Sequence, residues 1–325
     1  MRVFTAVLLN NLRRLSEHKT RIIMFFVLTV GAVAAAVFFN TQSDIAGHIA
    51  VVSESNMVIP HTQYLNMTAL EKEPPMSELA AGKYDAVIIF DGQGGYEIQT
   101  IKNDNFKNML YALVRDPASF QAGEIGSREK GTNIFGFLMM FVLMQGISMT
   151  FVFAEDKDKK QIRRVAASPV SFSWYLCAHS LFAYLFLLVP TMAIILVVRY
   201  VFGIDIGFST VEFFALTAIL SALGTSFALF LVSMIKTGDS ANMVGSAVVV
   251  LTSVLAGSFY SFDRGNKILE TVIKILPQKA FLSMAELVEQ GKSTSNWYHY
   301  GLYIAILTLF FFVTAVVKVR KDYVK

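Results

Sequence analysis

The sequence predicts a mainly α, polytopic membrane protein with six transmembrane helices and a small α+β extracytoplasmic domain between helices 1 and 2. Three observations carry this expectation. Of the 325 residues, 54% are hydrophobic and only 16% charged, and mean hydropathy is +0.53; an ordinary soluble domain carries about 25% charged residues. The apolar residues fall in six separate segments, each close to the ~20 residues that a bilayer core requires. One stretch of mixed character, residues 41–132, is long enough to fold by itself. The same composition excludes disorder. A single cysteine, Cys177, excludes a disulfide scaffold, and a net charge of +4 is too small to imply nucleic acid.

Residues 1–20 read as a cytoplasmic amphipathic helix lying at the membrane interface. Phe4, Val7, Leu8, Leu12 and Leu15 recur at helical spacing, with Arg2, Asn10, Asn11, Arg13 and Arg14 elsewhere around the helix. Transmembrane helix 1 occupies 21–40. Its apolar core is longer than that of a signal peptide, so it reads as a retained anchor. Within 41–132, the runs 47–53 and 84–90 have strand character, and 95–101 alternates behind the turn residues 91–94. Pro74-Pro75 breaks the chain ahead of a short helix at 77–81, and 105–114 begins the helix that leads back to the membrane. Residues 133–325 hold transmembrane helices 2–6, with apolar cores at 134–153, 172–198, 211–235, 242–262 and 300–317. A cytoplasmic loop at 154–171 and an external segment at 263–299 connect them.

Orientation follows from lysine and arginine in the flanks. Arg2, Arg13, Arg14, Lys19 and Arg21 precede the first span. Lys157, Lys159, Lys160, Arg163 and Arg164 lie between the second and third, and Lys318, Arg320, Lys321 and Lys325 follow the sixth. In a six-span topology all three clusters fall on one side, the cytoplasm, which places both termini inside. Residues 41–132, with seven basic and twelve acidic residues, lie outside.

Chemistry-bearing residues at membrane depth are few: Gln145, Cys177, His179 and Asn242. His179 suits helix packing better than a proton relay. Cys177 and His179, two residues apart, point to different helix faces and make no metal pair. Gln145 suits a helix–helix hydrogen bond or a substrate contact, and Met139, Met140, Met144 and Met149 could line an adaptable apolar path. Gly291-Lys292-Ser293 has the tail of a phosphate-binding loop, but Glu286 stands where its first glycine belongs. No metal, cofactor or catalytic activity is expected of this chain. With neither midplane charges nor an internal repeat, it does not read as an ion-coupled transporter. Energy for any transport would arrive through a separate subunit.

The order of elements, and local text within it, resembles the permease subunit of a bacterial ABC-2-type exporter of the large-external-loop subgroup. Glu155 on to Arg163, Val165 and Ser168-Pro169-Val170 is similar to that family's segment between spans two and three. Leu255-Ala256-Gly257-Ser258-Phe259-Tyr260, followed by Leu276-Pro277, is similar to its end of span five and external hairpin. Asp156-Lys157 departs from the usual arginine after the glutamate, and the Gly-Thr that often follows is absent. The resemblance implies a coupling segment formed by Glu155, Asp156, Lys157, Arg163, Arg164, Ser168 and Pro169. It also implies partners: cytoplasmic ABC ATPase subunits that hold the ATP and Mg, and a second permease copy or paralogue, in the lipids of a bacterial cell membrane. Spans two and five would form the substrate path, through Met140, Met144, Gln145, Met149, Asn242 and Phe259, for a drug, antibiotic, peptide or lipid-like cargo. The rival expectation is a non-transporting receptor or scaffold whose external domain binds a ligand or phage.

Overall fold

The structure, a computed structural model, describes residues 2–42, 47–52, 65–70, 72–80, 83–91, 95–100, 104–115, 130–168, 171–258, 267–291 and 294–323. In chain order its elements are α1 (Arg2–Glu17), α2 (Lys19–Gln42), β1 (Gly47–Val52), β2 (Leu65–Leu70), α3 (Met76–Ala80), β3 (Ala86–Phe90), β4 (Tyr96–Thr100) and α4 (Asp104–Arg115). Then come α5 (Lys130–Met149), α6 (Phe151–Asp158), α7 (Gln161–Ala166), α8 (Phe172–Tyr200), α9 (Thr210–Met234), α10 (Gly238–Leu255), α11 (Lys267–Ile275), α12 (Pro277–Glu289) and α13 (Thr294–Tyr323). The chain divides into two units. One comprises Met1–Val37, Glu129–Phe262 and Thr271–Lys325; the other comprises Phe38–Arg128 and Asp263–Glu270.

The first unit is a helical bundle with α9 at its centre, packed against α5, α8, α10, α12 and α13. Five helical segments among the described residues are long and apolar enough to cross a membrane: Lys130–Asp158, Phe172–Tyr200, Thr210–Met234, Gly238–Leu255 and Trp297–Tyr323. The pair Phe4–Glu17 and Ile22–Phe38, bent by 85°, makes a sixth if counted as one span. Outward faces are apolar: Ile23, Val27 and Val30 of α2, Met243 and Leu251 of α10, and Ile306 and Leu309 of α13 are all exposed. So continuous an apolar exterior suits lipid rather than water.

Local rules explain the helix limits. Ser209 and Glu212 form a reciprocal capping box that starts α9. Thr237 accepts a bond from the Ser240 amide and starts α10 four residues before the expected apolar core. Pro277 occupies the first turn of α12, where its missing N–H costs nothing. Thr150 interrupts the second expected span: its amide is shared between Gly146 and Ile147, and its hydroxyl donates to Ile147 O at 2.7 Å. The chain then continues as α6, so this span runs on to Asp158.

The bundle core is aromatic at one end, where Phe135 stacks on Phe213 at 4.5 Å and meets Phe281 edge-on at 5.4 Å. In the last turn of α5 it closes on glycine. A Cβ on Gly146 would lie 3.1 Å from the backbone carbon and oxygen of Gly224, whereas one on Gly224 would first meet the Leu143 Cδ2 methyl at 3.3 Å. Backbone cannot yield as a methyl can, so the two positions differ. Gly146→Ala is expected to cost about 1–3 kcal/mol by overpacking, and Gly224→Ala distinctly less. Thermal melting of the purified variants checks the order; equal losses would contradict this contact.

The second unit is a four-stranded sheet in the order β2-β1-β3-β4. β1 pairs in parallel with β2 and β3, while β3 and β4 form an antiparallel hairpin closed by Asp91, whose Oδ1 accepts the Gly95 amide at 2.8 Å. Side chains alternate between two faces. Ile49, Val51, Ile88 and Ile98 pack on Met109, Leu110 and Leu113 of α4, and Ala50 and Val87 pack with Leu79 of α3 and Tyr84. The sequence anticipates β1, β3, β4, α3 and α4. It does not anticipate β2, whose LNMTAL text lacks a β-branched run.

Candidate functional site

The expected cytoplasmic loop at 154–171, in which Pro169 predicts a short helix within 157–167 followed by a break, is mostly helix. Residues 155–158 complete α6, Lys160 turns the chain in the left-handed conformation (φ 57°), and α7 follows. Within that segment the tetrad Glu155-Asp156-Lys157-Asp158 runs from buried (Asp156) to exposed (Asp158), and every one of its side chains is bonded to another part of the bundle.

Glu155 and Asp156 share one counterion. Arg14 of α1 places Nη2 2.6 Å from Glu155 Oε2 and Nη1 2.6 Å from Asp156 Oδ1, in the forked geometry that guanidinium favours. The other Asp156 oxygen accepts the Tyr175 hydroxyl at 2.5 Å and lies 3.5 Å from His179 Nε2. Asn11 Nδ2 sits 3.1 Å from His179 Nδ1. With the amide donating, the imidazole proton belongs on Nε2, facing the carboxylate. Asp156, His179 and Asn11 are all buried, Asn11 completely. Lys159 closes the set by pairing with Glu155 one turn back.

Lys157 and Asp158 hold the α9–α10 turn. Lys157 Nζ donates to Val232 O and Ile235 O, the carbonyls left over at the end of α9. Asp158 Oδ2 accepts the Gly238 amide at 3.1 Å at the start of α10. The ammonium thus meets the negative end of one helix dipole and the carboxylate the positive end of the next. Four consecutive residues therefore tie α6 to α1, α8, α9 and α10.

Beyond the tetrad, Ile162 is fully buried in a cluster with Phe153, Tyr175, Leu229 and Val319. It pins α7, while Arg163 and Arg164 remain exposed and make no hydrogen bond or ion pair with the described residues. Ser168 is turned back onto Val165 O at 2.6 Å. Pro169 and Phe259 lie outside the described residues.

The other path residues divide. Met140 and Met144 pack against the main core. Gln145, Met149 and Asn242 instead line a cavity of about 520 Å³ between α2, α5, α6 and α10. Its walls also include Met24, Phe25 and Leu28 of α2, Ser148, and Glu155, Asp158, Lys159 and Asp239.

Arg14, Asn11, Tyr175 and Asp158 are not among the site residues that the sequence suggests. Helical spacing puts Asn11 and Arg14 away from the apolar stripe of α1, yet Asn11 is buried while Leu12 is 47% exposed. The reason is that their partners lie on α6 and α8, about 140 and 170 positions along the chain, and buried polar groups go where their partners are. A usable signal was the spacing of Asn11, Arg14 and Leu15, which share one helix face.

A comparison with curated proteins gives no match. A family model described as ABC-2 type transporter matches residues 103–289, more than half of the chain. The matched stretch runs from α4 to the end of α12 and contains the tetrad, α7 and three of the four helices around the cavity. With its apolar spans and this match, the chain is a multi-pass membrane protein that belongs to the ABC-2 type transporter family.

Proposed function

We propose that this chain is the permease subunit of an ATP-driven exporter, energised by separate cytoplasmic ATPase subunits that hold the ATP and Mg. A second permease copy or paralogue completes the path, in a bacterial cell membrane with both termini cytoplasmic. The cargo is a drug, antibiotic, peptide or lipid-like molecule moved outward, and the large domain before α5 lies outside. The observation that carries this reading is the placement of α7. It offers two unpaired arginines on its surface, while the residues at its root are bonded to four other helices. A push on α7 by a closing ATPase dimer would reach α1, α8, α9 and α10 together. In this reading Arg163 and Arg164 touch the partner, and Glu155 to Asp158 transmit within the chain. Gln145, Met149 and Asn242, on the wall of the cavity, contact the cargo.

Charge reversal at both arginines, Arg163→Glu with Arg164→Glu, tests it. Both side chains are exposed, so insertion and abundance should hold. ATP hydrolysis by the co-expressed partner should uncouple from export, and co-purification of that partner should weaken. Wild-type export by the double variant at normal abundance would remove α7 as the contact.

A further inference from the structure

The cavity between α2, α5, α6 and α10 is lined by two kinds of residue. Met24, Phe25 and Leu28 of α2, with Met149 and Phe151, are apolar. The others include a polar strip. Gln145 and Ser148 are three apart on α5, Asp239 and Asn242 three apart on α10, and each pair shares a helix face. Ser148 Oγ and Asn242 Oδ1, 3.5 Å apart, join the two halves.

This strip is rich in acceptors. The Thr29 hydroxyl donates to Phe25 O at 2.9 Å, so its proton is committed. Gln145 must then offer Nε2 to Thr29 Oγ1, at 3.0 Å, and to Phe25 O, at 3.4 Å. That fixes the amide and leaves Gln145 Oε1 buried without a partner, on a residue only 4% exposed. A buried acceptor without a donor is costly to keep and is met by a ligand that brings one. Near the α6 end of the cavity, Asp239 makes no hydrogen bond or ion pair with the described residues. Lys159, the one lysine on the wall, is already paired with Glu155.

From this we infer that the cavity takes a cationic amphiphile bearing an amine. Its apolar body lies against α2, its N–H groups are directed to Gln145, and its charge is held by Asp239. The volume is within the range for a drug-sized ligand, roughly 300–1,000 Å³. The inference rests on the reading of this cavity as the cargo path and narrows it to one charge class.

Three probes of equal chain length separate the alternatives: dodecylamine, dodecyltrimethylammonium and dodecyl sulfate. Binding is measured to the whole chain in phosphatidylcholine nanodiscs, with empty nanodiscs subtracted. Dodecylamine should bind saturably and tightest, dodecyltrimethylammonium more weakly for want of an N–H, and dodecyl sulfate should displace neither. Asp239→Asn should weaken both cations by about three- to tenfold, the value of one partly solvated charge. Gln145→Leu should weaken dodecylamine about tenfold or more while leaving dodecyltrimethylammonium unchanged, which also serves as the control for folding. Competition by dodecyl sulfate equal to that of the amine overturns the inference. So does an equal loss for both cations in Gln145→Leu, since that is packing alone. No ATPase enters this experiment, so amine preference can stand if the Arg163 and Arg164 result fails, and the converse holds too.

Discussion

Arg14→Met is expected to destabilise the folded chain by about 3–5 kcal/mol, the range for breaking a buried ion pair from one side. Asp156 is buried and would lose the one guanidinium that faces it among the described residues, while Glu155 would keep Lys159. Because the Arg14 side chain is 18% exposed, the loss should fall toward the lower end of that range. Most of the penalty is the stranded carboxylate rather than the lost attraction, which makes a rescue possible. Arg14→Met combined with Asp156→Asn removes the stranded charge and still accepts the Tyr175 hydroxyl. The double variant should therefore recover more than half of the loss. Arg14→Lys should rescue poorly, because one ammonium cannot fork between two carboxylates as guanidinium does. Melting of the detergent-purified variants, followed by loss of the monodisperse peak, reads all three. A double variant no more stable than Arg14→Met would show that the stranded Asp156 charge is not the source of the cost.

The tetrad also shows where sequence reasoning stops. The apolar spans are legible because lipid imposes a length and a composition on each helix. Three of the four described strands are legible because alternation and turn residues are local. β2 is not, since its pairing with β1 supplies from outside the segment what its own residues lack. Glu155 and Asp156 look like the polar end of a span, and by local rules they are. Their burial depends on Arg14 and Tyr175, and no periodicity links residues so far apart. Lys157, which the resemblance places in the coupling segment, and Asp158 give no sign of their helix-end partners until the α9–α10 turn lies beside them. For the cavity, Gln145 and Asn242 are visible as rare polar residues at depth. Met140 and Met144 share α5 and a thioether with Met149 but turn toward the core, because the face a residue occupies is set by the neighbouring helices.

Sequence and structure meet most closely at an apparent anomaly, an acidic residue at the last position of α12. A carboxylate is unfavourable at a helix C-terminus, so its place there needs a second cause. Glu289 reaches the start of α5 and accepts from the Gly131 amide at 2.6 Å, the Thr132 amide at 2.7 Å and the Thr132 hydroxyl at 2.7 Å. It caps a helix N-terminus, where negative charge is favourable, and in doing so fastens α12 to α5.

Gly207, in the α8–α9 connection, makes room for this contact. Its φ is +74°, and a Cβ there would lie 2.2 Å from Glu289 Oε1 and 2.6 Å from the Gly131 nitrogen. Gly207→Ala would add a left-handed penalty of about 1–2 kcal/mol to the loss of charge-assisted bonds worth about 1.5–3 kcal/mol each. An overall loss of about 3 kcal/mol or more is expected. Glu289→Ala removes the same cap without the backbone strain and should cost less. Because both variants break one fastening, their effects should not add. The Gly207→Ala, Glu289→Ala double variant should melt close to Gly207→Ala alone, because the side chain that the new methyl displaces is already gone. Fully additive losses would mean that the two residues act separately, and Gly207 would then be required for its backbone conformation alone.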